Sequence, residues 1–307
     1  MITLRQLQCL IALSETLHFG RAAERCRITQ PALSSQIRGL EETLGVLLVE
    51  RTRHRVLMTP VGRDIVERAG RVLREVSDLA EAARHASRPF NGTLRLGVLP
   101  TLGPYLLPHI LPSLRRRYGD LKLYLREETA HRLRADLLRG DIDAMIISMA
   151  PEENGATSDP LFLEPLWAAL PLDHPLVAKP ALERVDLAGE RLLLLEENHC
   201  LRDQVLAFCL EARASEHTSF RATSLDSLRQ MVATGLGMTL LPALYVAAEA
   251  LEDIQIAMRP FVDPPGRGIG MTWRASGAHA EECRKLASLI RENLPSAVLS
   301  IAAPGNS

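Results

Sequence analysis

The sequence is notable first for what it lacks. Its opening residues, MITLRQLQCLIALSE, carry no basic lead, no unbroken apolar core and no small-residue cleavage site, so they do not read as a secretory signal. No apolar run approaches the ~20 residues that span a bilayer, and a cytoplasmic protein without a membrane partner is expected. None of the cysteines, Cys9, Cys26, Cys200, Cys209 and Cys283, forms a C-x-x-C pair, which argues against a zinc site and against a thioredoxin-type dithiol. An odd number of cysteines in a reducing compartment also speaks against permanent structural disulfides. No metal and no cofactor is expected.

Lysine is missing from residues 1–90, where 14 arginines face 10 carboxylates, a net +4 that leaves −5 for the rest of a chain whose overall charge is −1. Near-neutrality is therefore a cancellation, and the asymmetry is a reason to look for a nucleic-acid-facing segment. With 307 residues, 47% apolar and 24% charged, the chain has the length for about two domains and the composition of neither a disordered nor a fibrous protein.

Leu4, Leu7, Leu10, Ile11 and Leu13 recur at helical spacing, and residues 19–26 can form a second short helix. Thr29 and Pro31 then signal a helix start, Leu33, Ile37, Leu40 and Leu44 form its apolar stripe, and Gly45 ends it. The opposite face carries Gln30, Ser34, Ser35, Gln36 and Arg38. Residues 47–58 follow with Arg51, Arg53 and Arg55, which reads as a basic hairpin wing on a helix-turn-helix. A major groove admits one helix whose short polar side chains reach base edges, with wing arginines on phosphate or in the minor groove. The other reading of the same residues is a solvated face on a small helical domain.

The string FGRAAERCRITQPALSSQIRGLEETLGVLLVERTRHRVLMTPVG resembles the winged helix-turn-helix of LysR-type transcriptional regulators, in which Q-P-A-L-S opens the recognition helix and I-x-x-L-E-x-x-L-G follows. It departs in Val49-Glu50-Arg51, where many members place an aromatic before the arginine. The resemblance implies that Thr29, Gln30, Pro31, Ser34, Ser35, Gln36, Arg38, Arg51, Arg53 and Arg55 face double-stranded promoter DNA. Thr59 and Pro60 start another helix, on which Val61, Ile65, Ala69, Val72, Val76, Leu79 and Ala83 lie close to a heptad seam. In the LysR family this helix pairs two protomers; packing against the chain's own regulatory part is the alternative. Residues 87–92 read as a hinge.

Beyond residue 92, strand-like runs (94–99, 121–126, 144–148, 161–170, 192–195, 238–241, 269–274) alternate with helical ones (104–118, 130–139, 225–234, 242–249, 280–293). This is the pattern of an α/β fold, with mostly parallel sheets expected. The expected organisation is a winged helix-turn-helix over 1–58, a linker and dimerisation helix with its hinge over 59–92, and a regulatory domain over 93–307. The resemblance implies that the regulatory domain is two-lobed, like a periplasmic binding protein, with lobe I over about 93–161 and 268–307 and lobe II over about 162–267.

H-C-L-R-D-Q with a second cysteine nine residues beyond the first, together with LPTLGPYLLPHILP and DLAGERLLLLE, resembles the peroxide-sensing OxyR group of that family. The resemblance implies a peroxide-reactive Cys200, a resolving Cys209 and a reversible disulfide between them. It further implies a peroxide pocket of Thr101, His199, Gln204 and Arg267. The chemistry is coherent: a helix N-terminus stabilises a thiolate, and a second thiol traps the sulfenic acid before over-oxidation. If residues 200–209 form one helix, its ends lie roughly 13.5 Å apart, against the ~4.4–6.8 Å between Cα atoms that a disulfide tolerates. Bridging would then require the helix to unwind.

The bland readings are a helix cap for Thr101, a surface ion pair for Arg267, a capping or orienting role for Asp203, and packing for Cys9, Cys26 and Cys283. Thr129 is left unassigned because Thr129 and Ala130 make its register ambiguous. The implied protein is no enzyme. It is a homo-oligomer, a dimer of dimers, that answers hydrogen peroxide, acts on RNA polymerase at antioxidant genes and is reset by glutaredoxin or thioredoxin. Two alternatives are a LysR-type regulator gated by a small organic effector, and a thiol peroxidase with no DNA role.

Overall fold

The computed structural model describes residues 1–51, 56–85, 92–149, 155–249, 256–275, 277 and 279–301. They belong to two compact units, Met1–Ser87 and Arg88–Ser307.

In the first unit, α1 (Leu4–Thr16) starts at a capping box in which the Thr3 side chain accepts from the Gln6 amide and the Gln6 side chain returns to Thr3. The second helix, α2 (Phe19–Arg25), is capped by His18. The chain then turns through Arg27, held at φ 54°, into α3 (Gln30–Leu44). Thr29 caps α3 by accepting from the Ala32 amide, and Gly45 at φ 70° ends it, as the sequence signals. Leu33, Ile37 and Leu40 are fully buried with Leu10, Leu13 and Ala22 in one core. Strands β1 (Val49–Arg51) and β2 (Val56–Met58) pair antiparallel as the wing. The wing tip, with Arg53 and Arg55, and residues 87–91 of the expected hinge at 87–92 lie outside the described residues.

Helix α4 (Pro60–His85) begins where Thr59 Oγ1 accepts from the Gly62 amide at 2.8 Å and donates to the Leu47 carbonyl. Its stripe divides. Ala69, Ile65 and Leu73 pack on the unit's own core, whereas Val61, Val72, Val76 and Leu79 are exposed, Leu79 by 75%.

Gly62 is held by close approach, since a Cβ there would lie 2.1 Å from the Leu48 carbonyl oxygen. At Gly70 the same atom would meet only the movable Arg74 side chain. Gly62→Ala is therefore expected to destabilise this unit by about 1–3 kcal/mol through overpacking. Gly70→Ala is expected to gain up to about 1 kcal/mol from helix propensity. Thermal unfolding of the two variants checks the opposite signs.

The second unit runs β3 (Thr93–Val98), α5 (Gly103–Arg117), β4 (Lys122–Glu127), α6 (Ala130–Arg139), β5 (Ala144–Ser148) and β6 (Ala156–Pro171). It continues with β7 (Arg191–Leu195), α7 (Cys200–Glu211), β8 (Ser215–Ala222), α8 (Leu225–Ala233), β9 (Thr239–Pro242) and α9 (Ala243–Ala248). The last elements are β10 (Ile256–Arg259), β11 (Gly266–Arg274), α10 (Ala280–Glu292) and β12 (Leu299–Ser300). Strand β3 pairs parallel with β4 and β5, and β7 with β8.

The expectation of mostly parallel sheets fails at β6 and β11. These long strands pair antiparallel with each other, and β11 is antiparallel to β5. The reason is topological, because β6 carries the chain out of one core and β11 brings it back. One core gathers Leu96, Val98, Ile146, Phe162, Met271 and Leu286; the other gathers Leu166, Leu170, Leu193, Leu241 and Tyr245. Along β6 the chain leaves the first at Phe162 and enters the second at Leu166. Because β3, β4 and β5 are parallel, the loops carrying Thr101 and Thr129 and the residue Ser148 all sit at one edge of the sheet, where α/β proteins place ligands.

Candidate redox and DNA-facing sites

The sequence from Cys200 to Glu211 is one continuous helix, α7, with His199 as its N-cap residue. Cys200 is its first helical residue, at the end where backbone N–H groups have no helical acceptor. Its thiol is half-buried, packs at the edge of the first core and lies 3.6 Å from Ser148 Oγ at the end of β5. Leu201, Val205, Phe208 and Cys209, on the same helix, belong to the second core. The helix therefore straddles both cores, with its reactive-end residue on one and its body in the other.

Cys209 is fully buried, and burial, reinforced by the nearby Glu216 carboxylate, pushes its thiol up to about 11. At one helix rise per residue the two cysteines are about 13.5 Å apart, and no disulfide links them. Gln204 stands one turn below Cys200 on the same face, and its buried side-chain oxygen has no hydrogen-bond partner. His199 is half-buried and makes no capping bond, and it follows Asn198, held at φ 84°. Asp203 is exposed and lies 3.8 Å from Arg202. Arg202 instead donates to Glu216 at 2.8 Å.

Thr101 and Arg267 come together, though in neither of the bland ways. Strand register sets Arg267 of β11 opposite Glu164 of β6, and both side chains have zero exposure. Arg267 Nε donates to Glu164 at 2.7 Å, Nη1 to Thr101 Oγ1 at 2.8 Å, and Nη2 to the Thr101 carbonyl at 2.8 Å. The second carboxylate oxygen of Glu164 accepts from the Leu244 amide at the start of α9. Arg267 is thus no surface ion pair, and Thr101 is no helix cap, since Leu102 holds the cap position of α5 without a side-chain bond. Ser148 sits opposite Ile269, two residues beyond Arg267, and Met149 donates to the Gly268 carbonyl. Thr129 is the N-cap of α6 and makes no side-chain capping bond.

Ser148 and Glu164 were absent from the sequence-derived set. Ser148 had one signal, its place at the C-terminal end of a predicted strand. Glu164 had another, a single carboxylate inside the apolar run 161–170.

On the DNA-facing side, Gln30, Pro31, Ser35 and Arg38 are exposed on α3, Ser34 and Gln36 are half-buried, and Thr29 is used as the cap. Arg51 lies on β1. Exposure orders the thiols as well. In the native reduced protein, iodoacetamide at neutral pH is expected to modify Cys200 first and Cys26, 9% exposed, more slowly. Cys9, Cys209 and Cys283, all at zero exposure, should react only on unfolding. Peptide mass spectrometry over time checks the order.

Residues 4–63 match the bacterial regulatory helix-turn-helix proteins of the lysR family, and residues 87–295 match the LysR substrate binding domain. The chain belongs to the LysR family. As a LysR-family member it is a DNA-binding transcriptional regulator and not an enzyme. It is similar to the DNA-binding transcriptional dual regulator OxyR of Escherichia coli (strain K12), with 45% identity over 294 residues, 95% of this chain and 96% of that one. Among solved structures it resembles a full-length OxyR variant from Pseudomonas aeruginosa at 37% identity and TM-score 0.76, with 97% of each chain covered. It also resembles a hydrogen-peroxide-bound OxyR mutant from Corynebacterium glutamicum at 32% identity and TM-score 0.66, covering 97% of this chain and 94% of that one. No described helix of this LysR-family chain is long and apolar enough to cross a membrane.

Proposed function

We propose that this LysR-family regulator senses hydrogen peroxide through Cys200 and Cys209 and controls antioxidant genes by the change in α7 that their disulfide imposes. The observation that carries the reading is the helix itself. A half-buried thiol at its first residue and a fully buried thiol nine residues on cannot meet while it stands.

The Cys200 thiolate attacks one peroxide oxygen, the O–O bond breaks, and the departing hydroxide takes up the proton that the thiol gave, leaving a sulfenic acid and water. Cys209 then attacks the Cys200 sulfur. The S–S bond forms, the S–OH bond breaks, and a second water leaves with the Cys209 proton. For this α7 must unwind, which withdraws Cys209 from the second core and Cys200 from its seat against Ser148.

The pocket residues divide the work. The unpartnered Gln204 oxygen accepts a peroxide O–H, Ser148 holds the sulfur by a hydrogen bond, and His199 lines the approach. Arg267 fixes the Thr101 hydroxyl at the same sheet edge, acting as a positioning group for Thr101.

Residues 1–58 read promoter DNA, with Gln30, Ser35 and Arg38 offered to the groove. Residues 59–92 pair protomers through the exposed Val72, Val76 and Leu79 of α4, and residues 93–307 sense. The protein works in the cytoplasm as a dimer of dimers, acts on RNA polymerase, and is reset by thiol reductants of the glutaredoxin or thioredoxin kind. Titration of reduced protein with peroxide is expected to remove two thiols per chain per peroxide, both from the Cys200 and Cys209 peptides. Retention of both thiols would overturn the reading and favour an organic effector.

A further inference from the structure

The cysteines of the N-terminal unit are not isolated from each other. Cys9 lies on the core face of α1 with zero exposure, and Cys26 is the C-cap residue of α2. Across the packed α1–α2 pair, the Cys26 sulfur lies 4.0 Å from the carbonyl of Gln8, the residue before Cys9, and both cysteines belong to the same core. No disulfide joins them. Burial, with the neighbouring Cys26 sulfur adding to it, pushes the Cys9 thiol up to about 11, while the Arg5 guanidinium works in the opposite sense.

Cys26 also has an outlet. It lines a surface pocket of about 370 Å³ whose other walls include Arg5, Gln8, Arg25 and Arg27, so a small oxidant reaches Cys26 while Cys9 stays behind it. Arg5 further donates to the Cys26 carbonyl, which ties this residue to the start of α1.

We propose that Cys9 and Cys26 are a second redox dithiol, independent of Cys200 and Cys209, whose disulfide closes inside the helix-turn-helix and alters DNA binding directly. In the reaction Cys26 attacks peroxide, the O–O bond breaks, and a sulfenic acid and one water result. Cys9 displaces that oxygen as a second water while the S–S bond forms, so two thiols are oxidised for one peroxide reduced. Unlike the α7 pair, these thiols stand on two helices that already pack together, so their bond does not span one continuous helix. The slow element is the resolving thiol, held protonated by its burial, so the pair answers only to oxidant in large excess.

The placement gives the bond its effect. Cys26 immediately precedes the tight turn at Arg27 that leads to the Thr29 cap and α3, so a covalent tie to α1 draws on the backbone that sets the recognition helix.

The test uses the full chain carrying Cys200→Ser and Cys209→Ser, treated with excess hydrogen peroxide, or with diamide as a peroxide-independent oxidant. Alkylation, non-reducing digestion and mass spectrometry follow. The expected result is a linked Cys9–Cys26 peptide with Cys283 left free, and a several-fold loss of affinity for a duplex that the reduced protein retains. Dithiothreitol should reverse the loss, and Cys9→Ala in the same background should abolish it. Two free thiols after both treatments, Cys26 driven to sulfinic acid with Cys9 still free, or a linked protein that binds the duplex as the reduced one does would each overturn the proposal. A Cys9→Val variant with the melting temperature of its parent guards against reading a folding defect as a lost bond.

Discussion

Cys200→Ser is expected to abolish the change in DNA binding that follows one equivalent of peroxide per chain. A serine hydroxyl keeps the small polar contact with Ser148 but does not ionise near neutral pH, so no nucleophile remains at the start of α7. Cys209 cannot substitute. With its thiol at about 11, roughly one part in ten thousand is thiolate at pH 7, and it is sealed in the second core. The partner variant separates attack from trapping. In Cys209→Ser, peroxide still converts Cys200 to a sulfenic acid, which then proceeds to sulfinic acid because nothing condenses with it. Mass spectrometry of the Cys200 peptide together with DNA retention reads both. A Cys200→Ser protein that still switched at one equivalent would place the reactive thiol elsewhere.

The second large effect belongs to Arg267. Its guanidinium serves three acceptors at once, and its removal leaves Glu164 at zero exposure with no counter-charge. Breaking one member of such a buried pair costs about 3–5 kcal/mol, so Arg267→Ala should lose that much in chemical denaturation. Arg267→Lys should recover only part of it, because one ammonium cannot satisfy a carboxylate and both oxygens of Thr101 in the geometry of the fork. Replacing both charges, as Glu164→Gln with Arg267→Met, should restore most of the stability while leaving the Thr101 hydroxyl without its donor. That variant parts fold from sensing: near-native stability with a weakened peroxide response identifies Arg267 as a positioning residue. A loss below about 1 kcal/mol in Arg267→Ala would mean that Glu164 finds another partner.

These two sites differ in how far the sequence alone revealed them. Helix α3 was legible from Thr29, Pro31, the Leu33–Ile37–Leu40 stripe and Gly45, because cap, stripe and stop are all local signals. For the helix linking Cys200 to Cys209 only its start was legible, and its length was an assumption whose rise set the obstacle to their bond. Strand β8 was not, since Ser215–Ala222 is mostly polar and exposed and takes its shape from pairing with β7. Strands β10 and β12 are short and owe their existence to β6, many residues away in the chain.

The partners of the site were hidden in the same manner. Glu164 and Arg267 stand 103 positions apart, and Cys200 and Ser148 stand 52 apart, so only strand register and the seating of α7 bring them together. The residue types announced themselves, and their pairings did not. Arg267 shows what that difference does: read alone it could serve a thiolate or a surface carboxylate, and register commits it to Glu164 and Thr101.

The continuity of α7 also governs time. Once the disulfide is reduced, the native arrangement is rebuilt from a single local helix, and helices of this size form in about a microsecond or less, whereas thiol–disulfide exchange takes seconds to hours. Recovery is therefore never limited by refolding. The lifetime of the oxidised state is handed to whatever reductant the cell supplies, and the regulator stops signalling at the pace of that supply.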